Sequence, residues 1–259
     1  MSRDCLRALL WDVDGTLAET ERDGHFVAIN AAFDELRVPW RWSEGRYGEL
    51  LRVAGGFERL LFDMSSQPQA PSDPGARRML AAQIHRRKNE IYAALVTSGA
   101  IPLRDGVREL MDDCSDARVP MGIVTTTSRA NVAALLEANL GPGWERRFGT
   151  VVTADEAPSK KPDPQAYAMA LERLGIPGRE AVAIEDSPAG LEAAAATDIL
   201  VVITRSRYFN KEPITGALAI GPGLGSGVGW VPAAAHSRDR IGLEQIRSWH
   251  DAATRHSLR

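Results

Sequence analysis

A chain of 259 residues, 44% hydrophobic and 25% charged, is long enough to bury a sizeable core with room for a second, smaller one, and its composition excludes the disordered and membrane classes. A formal net charge of −3, with Arg86-Arg87-Lys88 as the densest basic spot, offers a nucleic-acid backbone no long-range attraction, and no apolar run approaches the ~18 residues that a membrane span needs. Only Cys5 and Cys114 are present, without CxxC spacing, which fits a reducing compartment.

The chain reaches an acid-rich segment by Asp12, which leaves no space for a signal peptide ahead of it. The expectation is a cytoplasmic protein that acts on a small molecule, with no nucleic-acid, membrane or obligate protein partner.

The first apolar run, Ala8 to Trp11, ends in Asp12-Val13-Asp14-Gly15-Thr16. A short run bounded by a glycine turn predicts a buried strand. Similar runs follow at Met121 to Val124, Val151 to Thr153, Ala181 to Ile184 and Leu200 to Ile203. Runs without polar alternation predict parallel strands covered on both faces.

Helical patterns lie between them. Ser128 is placed to N-cap Arg129 to Ala138, and Asp163 followed by Pro164 to start a helix running to Leu174 and stopping at Gly175. Ser187-Pro188 repeats that device. Strands alternating with helices predict an α/β fold with a doubly wound parallel sheet.

From Glu19 to Ile101 the alternation stops, leaving helical candidates at Phe26 to Leu36 and Met79 to Leu95 and a loop at Ser65 to Pro74. The chain is therefore expected to comprise a core of residues 1–18 and 102–259 and an inserted helical domain of residues 19–101. Beyond Ile220, Gly221 to Gly229 reads as irregular, and Leu243 to Ala253 as a closing amphipathic helix.

Four strand ends carry the chemistry. Asp12 and Asp14 suit a division between a nucleophile and an acid/base, although the same residues are typical of a turn whose carboxylates cap backbone N–H groups. Glu185 and Asp186 end another run, so two acid pairs at one sheet edge would make a magnesium site; helix capping is the competing use. Thr125, with Thr126 beside it, can offer hydroxyls and helix N-terminal N–H groups to a phosphate. Lys160 and Lys161, ahead of a proline-fixed turn, can neutralise a phosphoryl group. An acid pair, a hydroxyl, a lysine and a second acid pair, each at a strand end, together supply a nucleophile, an acid/base, a metal site and a phosphate binder.

This set resembles the four motifs of the haloacid dehalogenase superfamily, at Asp12-Val13-Asp14-Gly15-Thr16, Thr125, Lys161 and Glu185-Asp186, and the insert is similar to that superfamily's helical cap. The resemblance implies a Rossmannoid core. It implies Asp12 as nucleophile forming an aspartyl-phosphate, Asp14 as general acid and then base, Thr125 and Lys161 holding phosphate, and Mg2+ held by Asp12, the Asp14 carbonyl and Asp186 with Glu185 in support.

Leu17 to His25, Tyr47 to Leu51 and Lys161 to Pro164 resemble the CbbY-like branch, related to β-phosphoglucomutase, which includes phosphatases of xylulose 1,5-bisphosphate. That likeness implies substrate contacts from Glu21, His25 and Tyr47. Where the branch reads Gly-Gly-Lys-Glu-Arg, this chain has Gly55-Gly56-Phe57-Glu58-Arg59, so a cationic contact there would pass to Arg52, Arg59 or Lys88. A sugar phosphomutase is the alternative outcome, and a phospho-aspartate signalling module a more distant one, disfavoured by the motif order and the large insert.

Overall fold

The computed structural model describes residues 5–53, 55–235 and 239–256. Residues 1–4, 236–238 and 257–259 of the expected core range, and Ala54 of the insert, lie outside the described residues. The chain divides into two compact units, Met1–Glu19 with Pro102–Arg259, and Thr20–Ile101.

In the first unit a parallel sheet is built from β1 (Ala8–Trp11), β2 (Met121–Val124), β3 (Thr150–Val152), β4 (Ala181–Glu185), β5 (Leu200–Thr204) and β6 (Ala219–Gly221), in the order β3-β2-β1-β4-β5-β6. Every residue of β1, β2, β3 and β4 is buried, as expected for runs without polar alternation. Strand order reverses at β1, whose neighbours are β2 and β4. The crevice at the carboxyl ends of these three strands is where an open α/β sheet binds ligand.

The second unit is helical: a wide π-helical turn over Thr20–Phe26 leads into α1 (Val27–Glu35), followed by α2 (Glu44–Leu50), α3 (Gly56–Met64) and α4 (Pro74–Thr97). Ser43 and Asp73 cap α2 and α4 by accepting from Arg46 N and Ala76 N. Helix α4 starts five residues before the expected Met79, because Pro74 to Arg78 holds no large apolar residue to mark it. Its buried face runs Ala81, Ile84, Tyr92, Val96, and on the same face Lys88 fills the gap between Ile84 and Tyr92. In the same unit the buried carboxylate of Asp63 accepts from Trp42 Nε1 (2.6 Å), Arg46 Nε (2.9 Å) and Nη2 (2.7 Å) and Gln67 Nε2 (3.0 Å).

The remaining helices belong to the sheet unit: α5 (Val107–Asp116), α6 (Arg129–Leu140), α7 (Gln165–Leu174), α8 (Pro188–Ala195) and α9 (Leu243–His256). Ser128 and Ser187 cap α6 and α8 as expected. Helix α7 differs by one residue. Pro164 takes the cap position, while Asp163 Oδ1 accepts from Gln165 N at 2.9 Å, so the carboxylate caps the helix from one place earlier. Gly221, expected in irregular chain, closes β6. A side chain there would collide with the ring of Trp230, so the glycine marks close packing rather than a lack of structure.

Candidate active site

The loop after β1 is tight. Gly15 N donates to Ala18 O at 2.8 Å, Leu17 N to Val13 O at 2.9 Å, and Gly15 has φ +88°, a conformation open to glycine at little cost. Asp12 is 7% exposed, and its backbone N–H continues the sheet by donating to Ile184 O at 3.1 Å. Asp14, two residues further on, is half-buried and forms a bridge with Ala18.

Lys161 comes from the loop between β3 and α7. Its Nζ donates to Asp12 Oδ1 and Glu185 Oε1, both at 2.6 Å, and to the carbonyl of Val124, the last residue of β2, at 2.9 Å. One ammonium thus joins the ends of β1, β2 and β4. Burial alone would lower its pKa, but Asp12 and Glu185 outweigh that and hold it above the ordinary lysine range.

Carboxylate oxygens of Asp12, Glu185 and Asp186 lie within 4.8 Å of one another, all buried. Burial, then the charge of Asp12, raises the Glu185 carboxyl to about 7 against the pull of Lys161. Burial and the charges of Asp12 and Glu185 push Asp186 well above the usual carboxylate range, opposed by a hydrogen bond from Ser206 and by Lys161. Two glycines make room for these groups. A Cβ on Gly15 would overlap Asp186 Oδ2, and one on Gly190, in the first turn of α8, would overlap the Glu185 carboxylate.

Three buried carboxylates around one ammonium would carry surplus negative charge once all three are ionised, and burial together with that cost is what raises Glu185 and Asp186. A divalent cation would balance the charge, and an all-oxygen donor set suits a small hard ion.

Thr125 is 1% exposed, and its Oγ1 accepts from Thr127 N at 3.2 Å. Thr126 is exposed on the same turn. Asp12, Lys161 and Glu185 are thus directly bonded, a carboxylate oxygen of Asp186 lies within 4.8 Å of those of the two acids, and Thr125 follows the carbonyl that Lys161 holds.

Three participants were not anticipated. Tyr167 of α7 donates its hydroxyl to Glu185 Oε1 at 2.6 Å, with Lys161 Nζ 5.2 Å from its ring centre. Ser206 bonds Asp186, and Arg104 bonds the carbonyl of Gly15. Ser206 was findable, since it lies just past the apolar run of β5 and so at another strand end. Tyr167 sits four residues into a helix pattern that gives no hint of its partner.

The helical unit has a polar cluster of its own. Tyr47 OH donates to Glu21 Oε2, Arg59 Nη1 approaches Tyr47 OH at 3.4 Å, and Lys88 Nζ is 2.8 Å from His25 Nδ1. His25 stacks on Tyr92 with ring centres 3.9 Å apart. Burial, followed by the charges of Lys88, Arg59 and His85, pushes His25 well below the ordinary histidine range, so its neutral ring accepts from the lysine. Arg52 is exposed, and Phe57 packs edge-on to His85, 6.3 Å between centres.

A family model for haloacid dehalogenase-like hydrolases matches residues 6–198. Protein CbbY, plasmid, of Cupriavidus necator is 40% identical over 250 residues, covering 95% of this chain and 97% of its own. A crystal structure of CbbY from Rhodobacter sphaeroides with phosphate superposes with a TM-score of 0.71 at 38% identity, over 82% of this chain and 92% of that one. A variant of that protein in complex with xylulose 1,5-bisphosphate gives 0.72 at 37%, with the same coverage. The strand order, the three strand ends joined by Lys161 and a match over most of its length agree: the chain belongs to the haloacid dehalogenase-like hydrolases.

Proposed function

We propose that the substrate of this phosphatase is a ketose bisphosphate of the xylulose 1,5-bisphosphate kind, cleaved through a phosphorylated Asp12. The protein hydrolyses phosphate esters of sugars or other small metabolites. The reading is carried by the bridge from Lys161 Nζ to Asp12 and Glu185, 2.6 Å each, beside Asp186.

In this reading the Asp12 carboxylate forms a bond to phosphorus as the bond from phosphorus to the ester oxygen breaks. Asp14 gives its proton to the departing oxygen. A water then attacks the aspartyl-phosphate, passing a proton to Asp14, and inorganic phosphate leaves. Lys161 orients Asp12 and offsets phosphoryl charge, while Thr125 and Thr126 hold phosphoryl oxygens. Asp12, the Asp14 carbonyl and Asp186 would hold Mg2+, with Glu185 in support; the bound ion supplies charge neutralisation for the phosphoryl oxygens.

Glu21, His25, Tyr47, Arg52, Arg59 and Lys88 are assigned to recognition of the rest of the substrate. The domain roles are part of the same proposal: residues 1–18 and 102–259 for chemistry, 19–101 as a cap for selection. The cationic side of the helical cluster, Lys88 and Arg59, supports a substrate with a second phosphate.

The test is phosphate release from a panel of phosphorylated sugars with Mg2+, bisphosphates included and isomeric products scored. Metal-dependent release, fastest on a ketose bisphosphate and abolished in Asp12→Asn, is expected. Isomer formation without phosphate release would make the protein a mutase, and unimpaired turnover by Asp12→Asn would remove the nucleophile.

A further inference from the structure

Arg104, on the return of the chain into the sheet unit, is 13% exposed, and its guanidinium gathers main-chain oxygens from three loops. Nη1 donates to the carbonyls of Gly15 and Thr204 (3.1 Å for the latter) and reaches Thr204 Oγ1 at 3.3 Å. Nη2 donates to Arg205 O at 2.7 Å and Pro222 O at 3.1 Å, and Nε lies 3.5 Å from Glu19 Oε1. The backbone N–H of the same residue donates to Leu17 O at 2.8 Å.

These partners are not scattered. Gly15 follows Asp14 and packs its bare Cα against the Asp186 carboxylate. Arg205 precedes Ser206, which bonds Asp186, and the Ser206 Cβ is 3.1 Å from where a Gly15 Cβ would stand. The β1 loop and the end of β5 therefore meet around Asp186 on one side and are tied to a single guanidinium on the other.

We propose that Arg104 is a positioning residue for catalysis, fixing the Asp12–Gly15 loop against the Arg205–Ser206 turn so that Asp12, the Asp14 carbonyl and Asp186 are held at one spacing. Only a guanidinium fits the role. Five N–H groups in a rigid planar fan can satisfy carbonyls from separate loops at once, whereas a lysine has three donors on a flexible stem and cannot span them. An error of about 1 Å in the placement of reacting groups costs on the order of a hundredfold in rate.

The proposal rests on the phosphatase reading, and its test separates the two. Arg104→Lys and Arg104→Ala are compared with the unchanged protein in three measurements: thermal unfolding, calorimetric titration with Mg2+ alone, and turnover of the best substrate of the panel. The lysine variant is expected to fold, to bind Mg2+ about tenfold more weakly, and to lose tenfold or more in kcat with KM within about threefold, the split expected when reacting groups are misplaced while substrate binding is kept. Millimolar guanidinium, and not the same concentration of sodium, is expected to return part of the kcat lost in Arg104→Ala. A folded lysine variant with kcat and Mg2+ affinity within about twofold of the parent would overturn the proposal. So would failure of both variants to fold, since Arg104 would then serve stability alone. If the parent protein releases no phosphate from any substrate, the phosphatase reading fails, and the Mg2+ titration still decides whether Arg104 sets the carboxylate spacing.

Discussion

Gly15 and Asp186 share one space: the hydrogen on the Gly15 Cα stands where a methyl group would overlap Asp186 Oδ2. The glycine thus answers to two demands, its φ of +88° and the carboxylate facing it. Gly15→Ala is expected to cost about 1–2 kcal/mol from backbone conformation and to displace Asp186 as well. Activity should fall by about a hundredfold or more, with weaker Mg2+ binding by calorimetry. An alanine variant with normal turnover would show that Asp186 has room to move without consequence.

Lys161 is the cation bonded to both Asp12 and Glu185. In Lys161→Met two buried carboxylates lose their ion pair, and Glu185 loses the cation that opposes its upward shift. Turnover is expected to drop by at least two orders of magnitude, and the metal-free variant to be less stable than the parent, more so near pH 8 than near pH 5. Equal losses of melting temperature at the two pH values would contradict the electrostatic account.

The metal-free protein should itself respond to pH. Glu185 is raised to about 7 and Asp186 well above its ordinary value, so both hold protons in the folded chain at a pH where the unfolded chain has released them. The folded state then binds more protons, and the contribution of these groups is greatest at the acid end of the window and declines as pH rises from the ordinary carboxylate range through about 7. Melting curves in chelator should shift downward across that interval, and added Mg2+ should reverse the shift by favouring the ionised carboxylates. A rising melting temperature in chelator over the same interval is the opposing result.

Asp63 concerns the helical unit alone. With its carboxylate 1% exposed and bonded to Trp42, Arg46 and Gln67, Asp63→Ala leaves a buried indole N–H and a partly buried guanidinium without their acceptor. A loss of about 2–4 kcal/mol in urea unfolding is expected.

The two thiols should differ sharply. Cys5 is exposed, while burial, assisted by Asp113, raises the Cys114 thiol to about 12. Alkylation of the native protein is expected to modify Cys5 alone, with Cys114 reacting only on unfolding. Rapid labelling of both would place Cys114 nearer the surface.

Much of this arrangement could be read in advance because buried parallel strands announce themselves as unbroken apolar runs, and the residue after each run is carried to one edge of the sheet. That single rule brought Asp12, Thr125 and Glu185-Asp186 to a common place, and it would have found Ser206. It fails for β6, whose Gly221 reads as the start of a glycine-rich irregular stretch, for α2, where Gly45 and Gly48 interrupt a helical pattern, and for α3, whose first residue is a glycine. Tyr167 and Arg104 were invisible for a different reason. Their partners are a carboxylate 18 residues away and main-chain carbonyls as far as 118 residues away, and nothing in local spacing encodes a contact of that kind.

The hydrogen bond from Arg104 N to Leu17 O, 2.8 Å long, joins the place where the chain departs toward residues 20–101 to the place where it comes back. The six-strand scaffold is therefore stitched shut without that excursion. Replacement of the whole excursion needs only two adjacent cut points and is expected to leave the register of every strand untouched. On the proposal that residues 19–101 select the substrate, exchanging them as a cassette is expected to re-specify preference while the bond-breaking apparatus is inherited intact.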